Sequence, residues 1–92
     1  MTASGQVITA HAHTRIHQRG LRETDVLHVR DFGSAFHAGR GCMAFLVDKD
    51  AVKRARKDGI DLTRLHGVGA IESDDGVIVT VARYRRKPRR WR

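Results

Sequence analysis

Residues 68–84 read VGAIESDDGVIVTVARY. Two runs rich in β-branched residues, Val68 to Glu72 and Val77 to Tyr84, flank Asp74-Asp75-Gly76. Gly and Asp tolerate the positive φ that a tight turn demands, so the stretch reads as an antiparallel hairpin. In its second run Val77, Val79 and Val81 alternate with Ile78, Thr80 and Ala82. Both sets are largely apolar, which predicts a central strand covered on both sides. A sheet is therefore the organising layer of the fold.

Upstream, Cys42 to Val47 is a six-residue apolar run that reads as a largely buried strand. Gly39-Arg40-Gly41 is a turn signal, and Ser34 to Ala38 before it completes a second hairpin. Between the hairpins, Asp48 or Asp50 can cap a helix from about Ala51 to Asp58. That helix offers Val52 and Ala55 to the core, while Lys53, Arg54, Arg56 and Lys57 make its outer face basic. Gly59 closes it. Residues 60–67 read as a helical turn or a packed loop, with Ile60, Leu62 and Leu65 apolar.

Two helices precede the first hairpin. Thr9 is a suitable N-cap for Ala10 to Arg19, and Gly20 a suitable stop. Ala12 and Ile16 lie four apart on one face, which should be buried. The second helix runs from about Glu23 to Phe32, with acids favouring its start and Val26, Leu27, Val29 and Phe32 on its core side. Gly33 ends it. The predicted fold is α+β: a helical hairpin followed by an antiparallel four-stranded sheet with one further helix. One domain spans 9–84, after a flexible leader of residues 1–8 and before a basic tail of residues 85–92.

At 92 residues the chain has room for one modest core. It is 40% hydrophobic and 30% charged with a single Pro, which excludes low-complexity disorder and collagen-like sequence. No apolar run is long enough for a transmembrane helix, and residues 1–5 lack the features of a secretory signal. A single cysteine, Cys42, excludes an internal disulfide and a Cys-rich zinc site. These features point to a cytoplasmic protein.

The net charge of +8 is segregated. Residues 83–92 carry seven cations, Arg83, Arg85, Arg86, Lys87, Arg89, Arg90 and Arg92, and no acid. Residues 1–82 carry eleven basic against ten acidic groups, a net of +1. Arg presents a rigid fork of donors that matches phosphate, and its plane stacks on bases. Tyr84 and Trp91 flank the run and suit stacking on an unpaired base. The segment therefore reads as a contact for RNA or single-stranded nucleic acid. Two other readings fit it, a solvated tail and a surface for an acidic protein partner. An anchor to a membrane would need an apolar face or a lipid, and neither is visible.

Among the remaining polar residues, His11, Arg15 and Arg19 follow at four-residue steps along one helical stripe. The structural alternative is that the arginines pair with Glu23, Asp25 or Asp31 and tie the two helices together. His13 and His17 have the spacing of two metal ligands, but zinc wants three or four, and the neighbouring Arg15 and Arg19 disfavour a cation. They read as surface histidines. Cys42, within an apolar run, reads as packing. No motif calls for a metal or cofactor, and the oligomeric state is open.

His11-Ala12-x-x-Arg15-x-x-Gln18-Arg19-Gly20-Leu21, together with the closing Asp75-Gly76-Val77-Ile78-Val79-Thr80-Val81, resembles an uncharacterised bacterial family, domain of unknown function 4258. The resemblance spans roughly residues 9–86, matches poorly in detail over 34–67, and is departed from by the unusually basic run from Lys87 onward. That family is similar at fold level to small ribonuclease toxins of the barnase, colicin and RelE kinds. The resemblance implies helices packed on a four-stranded antiparallel sheet whose exposed face handles RNA. It also raises metal-independent endoribonuclease activity. Cleavage through the 2′-hydroxyl needs an acid or base and a cation for the phosphorane. His11 would supply the first, and Arg15 and Arg19, with Arg83 and Arg85 at the end of the last strand, would supply the second.

Overall fold

In the computed structural model the described residues are 7–84. They form β1 (Val7–Ile8), α1 (Ala10–Gln18), α2 (Glu23–Phe32), β2 (Ser34–Gly39), β3 (Cys42–Leu46), α3 (Lys49–Lys57), a 3-10 turn (Thr63–Leu65), β4 (Val68–Glu72) and β5 (Val77–Arg83). The five strands make one mixed sheet in the order β1-β5-β4-β3-β2. The α+β class is as expected, but the four-stranded antiparallel sheet is corrected. Val7 and Ile8, expected within a flexible leader, pair in parallel with Val77 and Ile78. Two residues are too few to show a strand period, so only their β-branched side chains hinted at this edge.

Helix starts follow their caps. Thr9 Oγ1 accepts from Ala12 N–H at 3.1 Å, and Asp48 Oδ1 accepts from Ala51 N–H at 2.9 Å. Gly20, with φ +66°, supplies the left-handed exit after α1. Gly33 ends α2 for a different reason. Its φ is −60°, and a Cβ there would collide with the Val29 carbonyl oxygen and lie 3.1 Å from the Leu46 nitrogen. The glycine lets the end of α2 press against β3.

The helices share one face of the sheet. Ala12 and Ile16 of α1, Val26 and Val29 of α2, and Ala51 and Ala55 of α3 bury against Val68, Ala70, Ile78 and Val81, with Leu62 and Leu65 closing the rim. In α3 it is Ala51, not Val52, that joins Ala55 as fully buried; Val52 is partly buried beside them. α1 lies chiefly against β5, while α2 lies against β3, β4 and α3. The expected helical hairpin is thus two helices seated side by side on a sheet.

The parity expected in β5 fails, because a bulge interrupts its pairing. Ile71 pairs with Thr80 but Glu72 pairs with Ile78, leaving an extra residue on β5. A bulge shifts the side-chain alternation by one, so Ile78 and Val81 both reach the helix side. β5 is not the central strand, and among the described residues helices cover one of its faces. No helix among the described residues is long and apolar enough to cross a membrane.

Candidate nucleic-acid interface

The opposite face of the sheet carries a second, smaller cluster. Ala44 and Leu46 are buried there, with Phe36, Ala38, Ile71 and Tyr84 packed around them. Among the described residues every member comes from a strand or, for Tyr84, from the residue after β5, and none comes from a helix. Register places the cluster: Thr80, Ile71, Ala44 and Phe36 form one row across four strands, and Ala82, Gly69 and Leu46 lie in the next. The result is a shallow apolar surface with a half-buried aromatic ring toward each side.

Tyr84 is seated by a glycine. A Cβ on Gly69 would lie 2.8 Å from Tyr84 Cε2, so the ring rests directly on the backbone of β4. The Tyr84 N–H donates to the Gly67 carbonyl at 2.6 Å, which fixes the chain as it leaves β5. Gly67 has φ +89° and is more crowded still, since a Cβ there would lie 2.6 Å from the Tyr84 carbonyl oxygen. Phe36 is the aromatic residue of β2. The sheet brings it onto the same cluster as Tyr84, across 48 positions of sequence, and no local pattern announces such a pairing.

Arg83 takes the other side. It pairs with Val68, which faces the helices, and its Nη1 donates to the carbonyls of His66 at 3.3 Å and Arg64 at 3.5 Å. The first cation of the basic segment is thus held against the turn before β4. Arg85, Arg86, Lys87, Arg89, Arg90, Trp91 and Arg92 lie outside the described residues.

The stripe on α1 is present. His11 and Arg19 are exposed, and Arg15, half-buried, reaches Gln18 Oε1 at 3.5 Å. None of the three takes part in the interhelical ion pairs that the sequence suggested. Glu23 meets His13 at 3.4 Å, Asp25 meets Arg64 at 2.5 Å, and Asp31 lies 3.9 Å from Arg30. Thr9 anchors the start of the stripe to β5, its N–H donating to the Ile78 carbonyl at 3.0 Å. α1 and Arg83 therefore belong to the same layer, while Tyr84 and Phe36 belong to the opposite one.

Asp25 was missed as a structural centre. Burial by itself would raise its carboxyl, but hydrogen bonds from Arg64 and from the Arg22 N–H, with both positive charges, hold it below the usual carboxylate range. Asp61 is also held low, by hydrogen bonds from the Thr63 hydroxyl and N–H. Neither lies among the residues singled out for chemistry. His13 and His17 do not assemble a ligand set: no group of three or more His, Cys, Asp or Glu suited to a metal occurs among the described residues. Cys42 is half-buried, its thiol 3.9 Å from the Arg40 carbonyl oxygen.

No family model, curated protein or solved structure matches this chain. The site is therefore argued from its own chemistry: an aromatic, helix-free sheet face beside the root of a cationic segment.

Proposed function

We propose that the chain binds RNA or single-stranded nucleic acid through its C-terminal arginines, together with the sheet face that carries Tyr84 and Phe36. The observation that carries this reading is the segregation of charge: seven cations in residues 83–92 against a net of +1 in residues 1–82. Arginines contact phosphate whatever the base, so affinity would exceed specificity. Tyr84 stands at the root of this segment on the face that also holds Phe36. A strand held by the arginines would cross apolar surface and aromatic edges suited to unpaired bases.

The test is titration of a labelled single-stranded RNA at several salt concentrations, with the full chain and with residues 85–92 deleted. Each phosphate neutralised should contribute a slope of about −0.7 in log K against log salt. Deletion should flatten the slope and weaken binding. Absence of RNA and DNA binding near ~0.15 M salt, where charge attraction is already screened, would instead leave an acidic protein partner as the tail's target.

A second reading, a metal-independent endoribonuclease of toxin type, draws on the α1 stripe. His11 and Arg19 are exposed and have no side-chain partner among the described residues, so these groups remain available to a substrate. His11 would act as acid or base, with Arg15, Arg19, Arg83 and Arg85 on the phosphate. Incubation of a labelled RNA pool with the protein in EDTA tests it. Fragments that disappear with His11→Ala support the enzyme, and intact RNA across a broad pH range removes it.

A further inference from the structure

Among the described residues the outer side of β2 is an open sheet edge, and its hydrogen-bonding groups can be assigned. Val47 N–H donates to the Val68 carbonyl at 2.9 Å, so Val47 aims its backbone toward β4. Backbone direction alternates along a strand. Phe45 and Met43 therefore also face β4, while Leu46 and Ala44 face β2. Their partners Ser34 and Phe36 face back toward β3. That leaves Ala35 and His37 with N–H and C=O directed outward. Both residues are exposed, and neither outward pair meets a partner among the described residues.

Proteins commonly guard such an edge with Lys, Glu, Pro or an early bulge. Ser34–Gly39 reads SAFHAG and contains none of those residues. The irregularity in its ladder falls only at the end, between His37 and Gly39.

We propose that this edge pairs with the β2 edge of a second copy of the chain, antiparallel and centred on Phe36. A twofold axis perpendicular to the sheet keeps each residue on its own face. Paired residues share a face, so two registers stand out. Centring on Phe36 sets Ala35 against His37 of the second copy and His37 against its Ala35, which satisfies all four outward groups of each chain. Centring on His37 sets Ala35 against Gly39, where the ladder is already irregular. The first register also sets the two Phe36 side chains opposite each other on the helix-free face, in the close, non-hydrogen-bonded type of pair.

Charge agrees with this direction. Arg40 is exposed at the turn after β2, and Asp31 is exposed near the end of α2, just before β2 begins. Antiparallel pairing carries Arg40 of each chain toward the end of β2 where the other chain's Asp31 lies. Among the described residues Asp31 holds only a 3.9 Å contact to Arg30. The product is a continuous ten-stranded sheet with its two apolar faces joined side by side.

The mass of the full chain, freed of nucleic acid and held at moderate salt, tests the pairing by sedimentation or light scattering over a range of concentrations. A concentration-dependent rise to twice the chain mass is expected. Ala35→Pro removes an outward N–H and no internal ladder bond, so it should return the mass to that of one chain with an unchanged far-UV spectrum. Register is tested separately in a Cys42→Ser background. Phe36→Cys should form a disulfide-linked dimer on mild oxidation, whereas His37→Cys should not, because opposed positions bring Cβ atoms within about 5.5 Å and diagonal ones do not. A single-chain mass at every concentration, a dimer that survives Ala35→Pro, or cross-linking only with His37→Cys would each overturn the proposal.

Discussion

Arg64 Nη2 lies 2.5 Å from Asp25 Oδ1, joining the 3-10 turn to the first turn of α2 across 39 positions of sequence. The two ends of the pair are unequal. The Asp25 side chain is 5% exposed and the Arg64 side chain 65%. Asp25 also accepts the Arg22 N–H at 2.9 Å, so one carboxylate caps a helix and fixes a loop. Asp25→Ala leaves the N–H uncapped and the guanidinium unanchored, and should cost about 1–3 kcal/mol. Chemical denaturation of the two proteins at neutral pH measures this.

The same pair sets a pH dependence. Against the opposing pull of burial, hydrogen bonds and nearby positive charge lower the Asp25 carboxyl in the folded state. The unfolded chain therefore binds the proton more readily, and stability rises with pH through this window. The contribution is present in full above the ordinary aspartate range near pH ~4 and is lost as pH falls through the lowered folded value. Asp25→Asn should be less stable at pH 7 yet lose less on acidification. Parallel denaturation curves from neutral pH down to about pH 2.5 check the sign; equal losses in both proteins would refute it.

Gly69 and Tyr84 make a second coupled pair. Gly69→Ala places a methyl 2.8 Å from Tyr84 Cε2, so the ring must lift from β4. The substitution should destabilise by about 1–3 kcal/mol, the usual range for overpacking. In a Tyr84→Ala background the same change should cost much less, because the obstructing ring is gone. A double-mutant cycle by thermal or chemical unfolding reads the difference. If Tyr84 contributes to nucleic-acid binding, Gly69→Ala should also weaken affinity without changing the salt slope.

Thr9 gives a smaller and cleaner prediction. Its hydroxyl oxygen accepts from Ala12 N–H at 3.1 Å, and the hydroxyl lies 3.4 Å from the Val79 carbonyl oxygen. Thr9→Ala should cost about 0.5–2 kcal/mol, and Thr9→Ser should retain most of that stability. Equal losses in both would assign the effect to the lost methyl group and not to the cap.

These residues also show which parts of the fold were legible in the chain. Thr9 and the Asp74-Asp75-Gly76 turn act through neighbours a few positions away, and local chemistry identified both. The helix spans follow from the same kind of signal, with α2 at Glu23–Phe32 as expected. Val7–Ile8 escaped because a strand of two residues carries no period. The β5 bulge escaped because an extra residue is visible only in the pairing of two strands. The Asp25–Arg64 pair and the shared face of Phe36 and Tyr84 escaped because relations between distant segments leave no spacing to read. The candidate site divides similarly: the cationic segment is plain in the sequence, whereas the face that Tyr84 shares with Phe36 exists only once the strands are ordered.

Arg83 should behave differently from the cations that follow it. Its guanidinium is directed toward the His66 and Arg64 carbonyls, so part of its donor set is already engaged. Those carbonyls belong to the segment that leads into β4 and includes the Gly67–Tyr84 contact. Arg83→Ala should therefore lower the melting temperature slightly through that turn. A phosphate-binding arginine instead lowers affinity uniformly across sequences and reduces the salt slope by close to the value for one phosphate. On the proposed nucleic-acid reading, Arg89→Ala and Arg90→Ala should show that second signature with no change in melting temperature. Salt titrations of the three variants against one single-stranded RNA separate the roles. A full one-phosphate loss for Arg83→Ala with unchanged stability would place Arg83 on the nucleic acid and break its assignment to the turn.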